Sequence, residues 1–205
     1  MTVVVYGKPA SRTFRVLWAL EELGLRYESV PYDFAGPEIK EAAYLAINPN
    51  GAIPAISDDG EPLFESLAIN LYLARKHGKL WPRSVRGEGL TFQWTLWAAT
   101  EIETTLGAWF YHTSFLPEAE RKAEVIEDAK RKLPKRFDVL EGALAKRAWL
   151  ADADFGIADL NVAAVMFRAP AFGLERWPLI AQWRERCYAR PAAKRAVAMR
   201  GTVKA

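Results

Sequence analysis

The sequence predicts two domains of different class: an α/β domain of order β-α-β-α-β-β-α, followed by an all-helical domain. Three observations carry this. Strand and helix signals alternate as far as Lys76. Gly78, Pro82 and Gly87 then punctuate a stretch where the composition changes. Beyond it the apolar residues recur at helical spacing, with no confident strand pattern. The boundaries read as 1–77 for the first domain, 78–87 for a linker and 88–205 for the second domain.

Val3–Tyr6 is a short β-branched run closed by Gly7 and Pro9, and it reads as a strand. Ser11 precedes a segment whose apolar stripe is Val16, Leu17, Leu20 and Leu23, and Gly24 supplies a helix stop. Tyr27–Tyr32 is a second strand and 37–45 a short helix, ending before Asn48–Pro49. Residues 52–56 and 62–64 are strands turned by Asp58, Asp59 and Gly60, and 66–76 is helical again. The early βαβ unit implies a parallel pair with a right-handed crossover, and the later hairpin adds an antiparallel pair. In the second domain, 89–115 reads as a long aromatic helix. Residues 118–146 carry a stripe at Ile126, Ala129, Leu133, Phe137, Leu140 and Leu144, within which Pro134 is expected to kink or break the helix. Further helices are expected over 157–169, over 179–188 and after Pro191.

Composition narrows the function classes. The 205 residues are 51% hydrophobic and 26% charged, an ordinary globular balance. The net charge of +3 is a small excess spread along the chain, with no run of five like charges, so nucleic acid is not an expected partner. The basic cluster at 130–136 follows Glu124, Glu127 and Asp128 and reads as a solvated helix face. The single cysteine, Cys187, makes no internal disulfide and lies at helical spacing from Ile180 and Trp183, as a core thiol would. Two distant histidines give no case for a metal. No apolar run approaches the ~18 residues of a membrane span, and the N-terminus lacks a secretory pattern, so a cytoplasmic location is expected.

Three places carry candidate chemistry. Ser11 stands at a helix N-terminus, where unpaired amides favour an anion. Its hydroxyl reads either as a helix cap or as a donor to a thiolate, with Thr13 the alternative at both tasks. Ile53–Pro54, at the start of a strand, is a candidate cis bond or an ordinary trans turn. Glu65–Ser66 opens a helix: Ser66 reads as its cap, the helix end can receive a carboxylate, and Glu65 can accept from an ammonium group.

These residues lie in blocks that resemble the cytosolic glutathione transferases. The blocks are Ser11-Arg12-Thr13-Phe14-Arg15-Val16 with Leu20-Glu21-Glu22-Leu23-Gly24, then Asn48-Pro49-Asn50-Gly51-Ala52-Ile53-Pro54, then Phe64-Glu65-Ser66-Leu67-Ala68-Ile69. Leu150–Asp159 resembles the start of the family's buried C-terminal helix, and Trp183 to Ala192 resembles its ending, so the likeness covers nearly the whole chain. It implies a thioredoxin-like first domain and a serine-type member, theta- or phi-like or a bacterial relative. It also implies glutathione as co-substrate without a metal. Ser11 would hold the sulfur as thiolate, Ile53 and cis Pro54 would take the cysteinyl portion, and Glu65 and Ser66 the γ-glutamyl end. Arg15, one turn beyond Ser11, reads as added positive potential or as structure.

The resemblance further implies an apolar electrophile site between the domains, with Trp109, Phe110 and His112 as its nearest residues, and a two-fold homodimer. Detoxifying conjugation of small apolar electrophiles is the implied activity, with hydroperoxide reduction as an extension. A specialised isomerase or dehalogenase and a non-catalytic binding module are the alternatives. Two departures stand out. Ala52 replaces a basic residue that many members use for the glycine carboxylate of glutathione, and Gly156 replaces the usual serine or threonine cap before Asp159.

Overall fold

The structure, a computed structural model, describes residues 2–201. Two compact units divide the chain: residues 2–81 with 189–201, and residues 82–188.

In the first unit, strands β1 (Val3–Tyr6), β2 (Tyr27–Val30), β3 (Ala55–Asp58) and β4 (Glu61–Phe64) form one sheet of order β2-β1-β3-β4. β1 pairs parallel with β2 and antiparallel with β3, and β3 pairs antiparallel with β4. Helix α1 (Thr13–Leu23) makes the parallel crossover and ends on Gly24 in the left-handed conformation. The alternation of β1 turns Val3 and Val5 inward, where they meet Val16, Leu17 and Leu20 of α1 with Ile69 and Leu73 of α3 (Ser66–His77). A second cluster of Ile39, Tyr44, Ile53 and Ala55 lies beneath the loop before β3. The expected helix over 37–45 is two pieces, a 3₁₀ turn Glu38–Lys40 and α2 (Ala42–Leu45), because Glu41 between them is extended.

The second unit opens on α4 (Val85–Trp97), whose N-cap Ser84 accepts from the Gly87 amide at 3.0 Å. The helix therefore begins inside the segment that reads as a linker. It continues through a π-helical stretch into α5 (Thr104–Phe110) and a last π turn, Tyr111–Phe115. Helix α6 (Ala123–Leu144) starts later than expected and is continuous through Pro134. One lost hydrogen bond and a crowded turn cost about 3 kcal/mol. Burial of Leu133, Phe137 and Leu140 on the same stripe returns roughly 1.5–3 kcal/mol each, which outweighs it.

Helix α7 (Ile157–Val165) is wholly buried. Instead of running on to Ala169 it gives way to a 3₁₀ turn, Met166–Arg168, and a short α8 (Ala169–Phe172). α9 (Pro178–Ala189) buries Ile180, Trp183 and Cys187 on one face. The last helix, α10 (Pro191–Arg200), belongs to the first unit, where it packs along α1. Among the described residues no helix is long and apolar enough to cross a membrane.

Candidate functional site

Every candidate glutathione contact lies on the first unit, where the chain leads into a helix or a strand. The turn between β1 and α1 is tight: Gly7 has φ +129°, and a Cβ there would stand 2.2 Å from Thr13 Oγ1. Ser11 Oγ lies 2.8 Å from the Lys8 carbonyl and 2.9 Å from Thr13 Oγ1, and it accepts from the Thr13 amide at 3.1 Å. The hydroxyl has one proton and a choice of acceptors, so it can turn toward a ligand by giving up one internal bond. Ser11 is half-buried, whereas Thr13 is fully buried.

The Ile53–Pro54 bond is cis. The loop before it is fastened from below: the Ala52 carbonyl accepts from Tyr44 Oη at 2.7 Å and from Asn48 Nδ2 at 2.6 Å. Burial pushes the Tyr44 phenol up to about 12, so it stays a donor throughout the physiological range. Gly51, at φ +56°, is required because a Cβ would meet the Ile39 carbonyl at 2.9 Å. The supporting roles of Tyr44 and Asn48 escape sequence reasoning. Asn48 beside Pro49 is the one available signal, since asparagine marks turns. Ala52 itself is exposed, and the exposed Lys40 reaches the same loop, its Nζ donating to the Gly51 carbonyl at 3.0 Å.

Glu65 occupies the N-cap position of α3, so Ser66 is the first residue of the helix and not its cap. Glu65 has φ +71° and ψ +106°, a conformation that costs a non-glycine residue of order 1–3 kcal/mol. The residue is nonetheless exposed and makes no capping bond with its side chain. The strain is thus held at an exposed acid, with no capping bond to offset it. Ser66 is buried, and its Oγ accepts from Arg15 Nη1 at 3.2 Å. Arg15, itself 8% exposed, thus ties the start of α3 to α1, and the Asn70 amide donates to its carbonyl at 3.2 Å.

On the second unit, the residues named for the electrophile are in different settings. Trp109 is buried edge-on against Phe172, with centroids 5.1 Å apart. Phe110 is half-buried beneath the Arg168 guanidinium at 4.4 Å. His112 Nδ1 accepts from the Lys122 amide at 3.2 Å. The basic cluster of α6 is laced with acids: Lys130 pairs with Glu127, and Arg131 and Lys132 both pair with Asp128. Among the described residues no group of three or more His, Cys, Asp or Glu side chains could hold a metal ion.

Two family models match: the glutathione S-transferase N-terminal domain over residues 1–75 and its C-terminal domain over residues 105–191. Glutathione S-transferase 3 of Zea mays is 34% identical over 95% of this chain and 92% of its own length. The chain belongs to the glutathione S-transferase family. A solved glutathione S-transferase I bound with lactoylglutathione superposes with a TM-score of 0.86 at 30% identity, over 96% of this chain and 99% of the other. The disulfide-bond oxidoreductase YfcG of Escherichia coli is 30% identical over 94% of this chain and 93% of its own length. This transferase has a thioredoxin-like α/β unit and a helical unit, as the sequence implied.

Proposed function

We propose that this transferase binds glutathione on its first unit and activates the thiol as thiolate through Ser11, for attack on small apolar electrophiles. The observation that carries the reading is the Ser11 hydroxyl, half-buried just before α1 with internal partners it can exchange. A free thiol has a pKa of ~8.5. Lowering it by about two units takes ~2.7 kcal/mol of preference for the thiolate. One hydroxyl donor to a charged acceptor supplies roughly 1.5–3 kcal/mol, and the helix end adds to it. The thiolate then forms the bond from sulfur to the electrophilic carbon as the leaving group departs with its electron pair.

In this reading the Ile53 backbone beside Pro54 takes the cysteinyl portion, and Glu65 and the first amides of α3, opened by Ser66, take the γ-glutamyl end. Lys40 answers the charge on the glycine carboxylate that Ala52 does not, since its ammonium already hangs over the Gly51 carbonyl. Trp109, Phe110 and His112 stay with the electrophile, Phe110 first because it keeps open surface. A homodimer is also proposed: Val85, Phe92 and Leu96 on α4 are exposed apolar residues at spacings of seven and four, a stripe suited to a second copy.

The test is calorimetric titration with glutathione, followed by product analysis on an aryl halide, an organic hydroperoxide and a mixed disulfide. Saturable binding with conjugation of the halide is the expected result. Turnover of the disulfide alone would move the activity to reduction, and absence of binding at millimolar glutathione would favour a non-catalytic module.

A further inference from the structure

The C-terminal helix is anchored to α1 at both ends by arginines. At the C-terminal end of α1, Arg190 makes a two-pronged pair with Glu22, at 2.7 and 2.8 Å, and Arg195 pairs with Glu21 at 2.5 Å. At the opposite end Arg200 Nη1 donates to the Ser11 carbonyl at 3.1 Å, and its guanidinium stands over the Phe14 ring at 5.7 Å. Arg200 is 9% exposed, so a cation has been carried into the fold to reach a backbone oxygen 189 residues away in sequence. The Phe14 amide donates to the same oxygen at a longer 3.3 Å. The turn that displays the Ser11 hydroxyl is therefore held from outside by the last helix.

We propose that Arg200 is a positioning residue for thiol activation: it pins the Ser11 peptide, and so fixes the direction from which the Ser11 hydroxyl meets the sulfur. This rests on Ser11 being the group that stabilises the thiolate. A donor displaced by about 1 Å can cost as much as 10²-fold in rate, while a ligand held by its other contacts binds nearly as before. Arginine suits the task because its rigid fork both spans to a carbonyl and lies flat on an aromatic ring.

The test compares turnover against pH at saturating glutathione for the wild type, Arg200→Met, Arg200→Lys, Ser11→Ala, the double variant and Arg190→Met. In Arg200→Met the acid limb should move up about one pH unit, so that the rate falls about tenfold below pH 6 and about threefold at pH 7. KM for glutathione should stay within roughly twofold below pH 6, where the thiol binds protonated through its other contacts, and rise by no more than about threefold at pH 7, the linked loss of thiolate binding. Arg200→Lys should shift the same way by less. Added to Ser11→Ala, the Arg200→Met change should have little further effect, because it acts through the lost hydroxyl. Arg190→Met, at the other end of the same helix, should lower Tm and leave the pH profile in place.

Superposition of the Arg200→Met profile on wild type would overturn the proposal. So would an equal shift in Arg190→Met, or an undiminished Arg200→Met effect in the Ser11→Ala background. Should Arg200→Met fail to fold, superposition of the Arg200→Lys profile on wild type overturns it instead. If Ser11→Ala itself superposes, the Ser11 reading fails first, and that outcome is distinct from failure of Arg200 alone.

Discussion

Two helix N-termini in this molecule use polar groups in opposite ways. At the start of α7, Asp159 is fully buried and surrounded by donors: the Leu150 amide at 3.0 Å, the Gly156 amide at 3.2 Å and Trp183 Nε1 at 2.9 Å. At the start of α1, Ser11 is half-buried, and its hydroxyl has interchangeable internal partners. The first arrangement is closed, so its energy goes into the fold. The second is open, so its energy is available to a ligand. A third helix start, at Glu65, goes further, because the backbone there is strained. In the proposed function, the two open starts serve the ligand and the closed one serves the fold.

The largest expected effect is at the closed helix start. Asp159→Ala strands the buried Leu150 and Trp183 donors and the half-buried Gly156 amide, and near pH 5 should cost about 3 kcal/mol or more, measured by urea unfolding. A loss below about 1 kcal/mol would show that the buried Asp159 carboxyl is dispensable. The same carboxyl sets a pH dependence. Burial pushes Asp159 up to about 6 against the opposing hydrogen bonds, so between the ordinary carboxylate range and pH 6 the folded state holds a proton that the unfolded state has lost. Stability should therefore fall as pH rises through that window, by about 3 kcal/mol for a two-unit shift, and Asp159→Asn should flatten the slope. Asp58 has the opposite sign. Burial raises it, but hydrogen bonds from Lys76 and Tyr72 outweigh burial and hold it low, so its contribution is lost only in stronger acid.

At the open helix start the effect moves from stability to rate. Ser11→Ala should lower turnover roughly 10- to 100-fold, the kinetic value of ~1.5–3 kcal/mol, while stability changes by less than about 1 kcal/mol. A reversed pattern would put Ser11 with Asp159 as a structural group. Glu65→Gly separates the two quantities in one variant. It should raise stability by up to about 1 kcal/mol, because glycine accepts positive φ, and weaken glutathione binding about tenfold through loss of a charged acceptor. The smallest effect is expected at Lys40. Lys40→Met should weaken glutathione binding only about two- to fivefold, as for an exposed charge, with the loss shrinking as salt is added.

Both helix starts are legible in the sequence, but to different depths. Ser11, Ile53, Pro54, Glu65 and Ser66 sit in short local blocks, and the alternation of Val3–Tyr6 with the stripe of α1 suffices to place them at element ends. Asp159 is visible as the third residue after Gly156, and its side chain does accept from the Gly156 amide. What stays hidden depends on distance or on summed energies. Arg200 meets Ser11 across nearly the whole chain, and no local pattern marks it. Arg15 reads as a source of potential near the sulfur or as structure. Its guanidinium donates to Ser66, which only the packing of α1 against α3 decides. Pro134 reads as a breaker because propensity is local, whereas the stripe that overrides it buries side chains on both sides of the proline.

The most direct test of this contrast is an ultraviolet titration of the thiol of glutathione bound to the wild type and to Ser11→Ala. If the open helix start acts on the sulfur, the bound thiol lies about two units below its free value of ~8.5 in the wild type and returns most of the way to that value in the variant. Equal titration in the two proteins would contradict this and would place Ser11 among the structural residues.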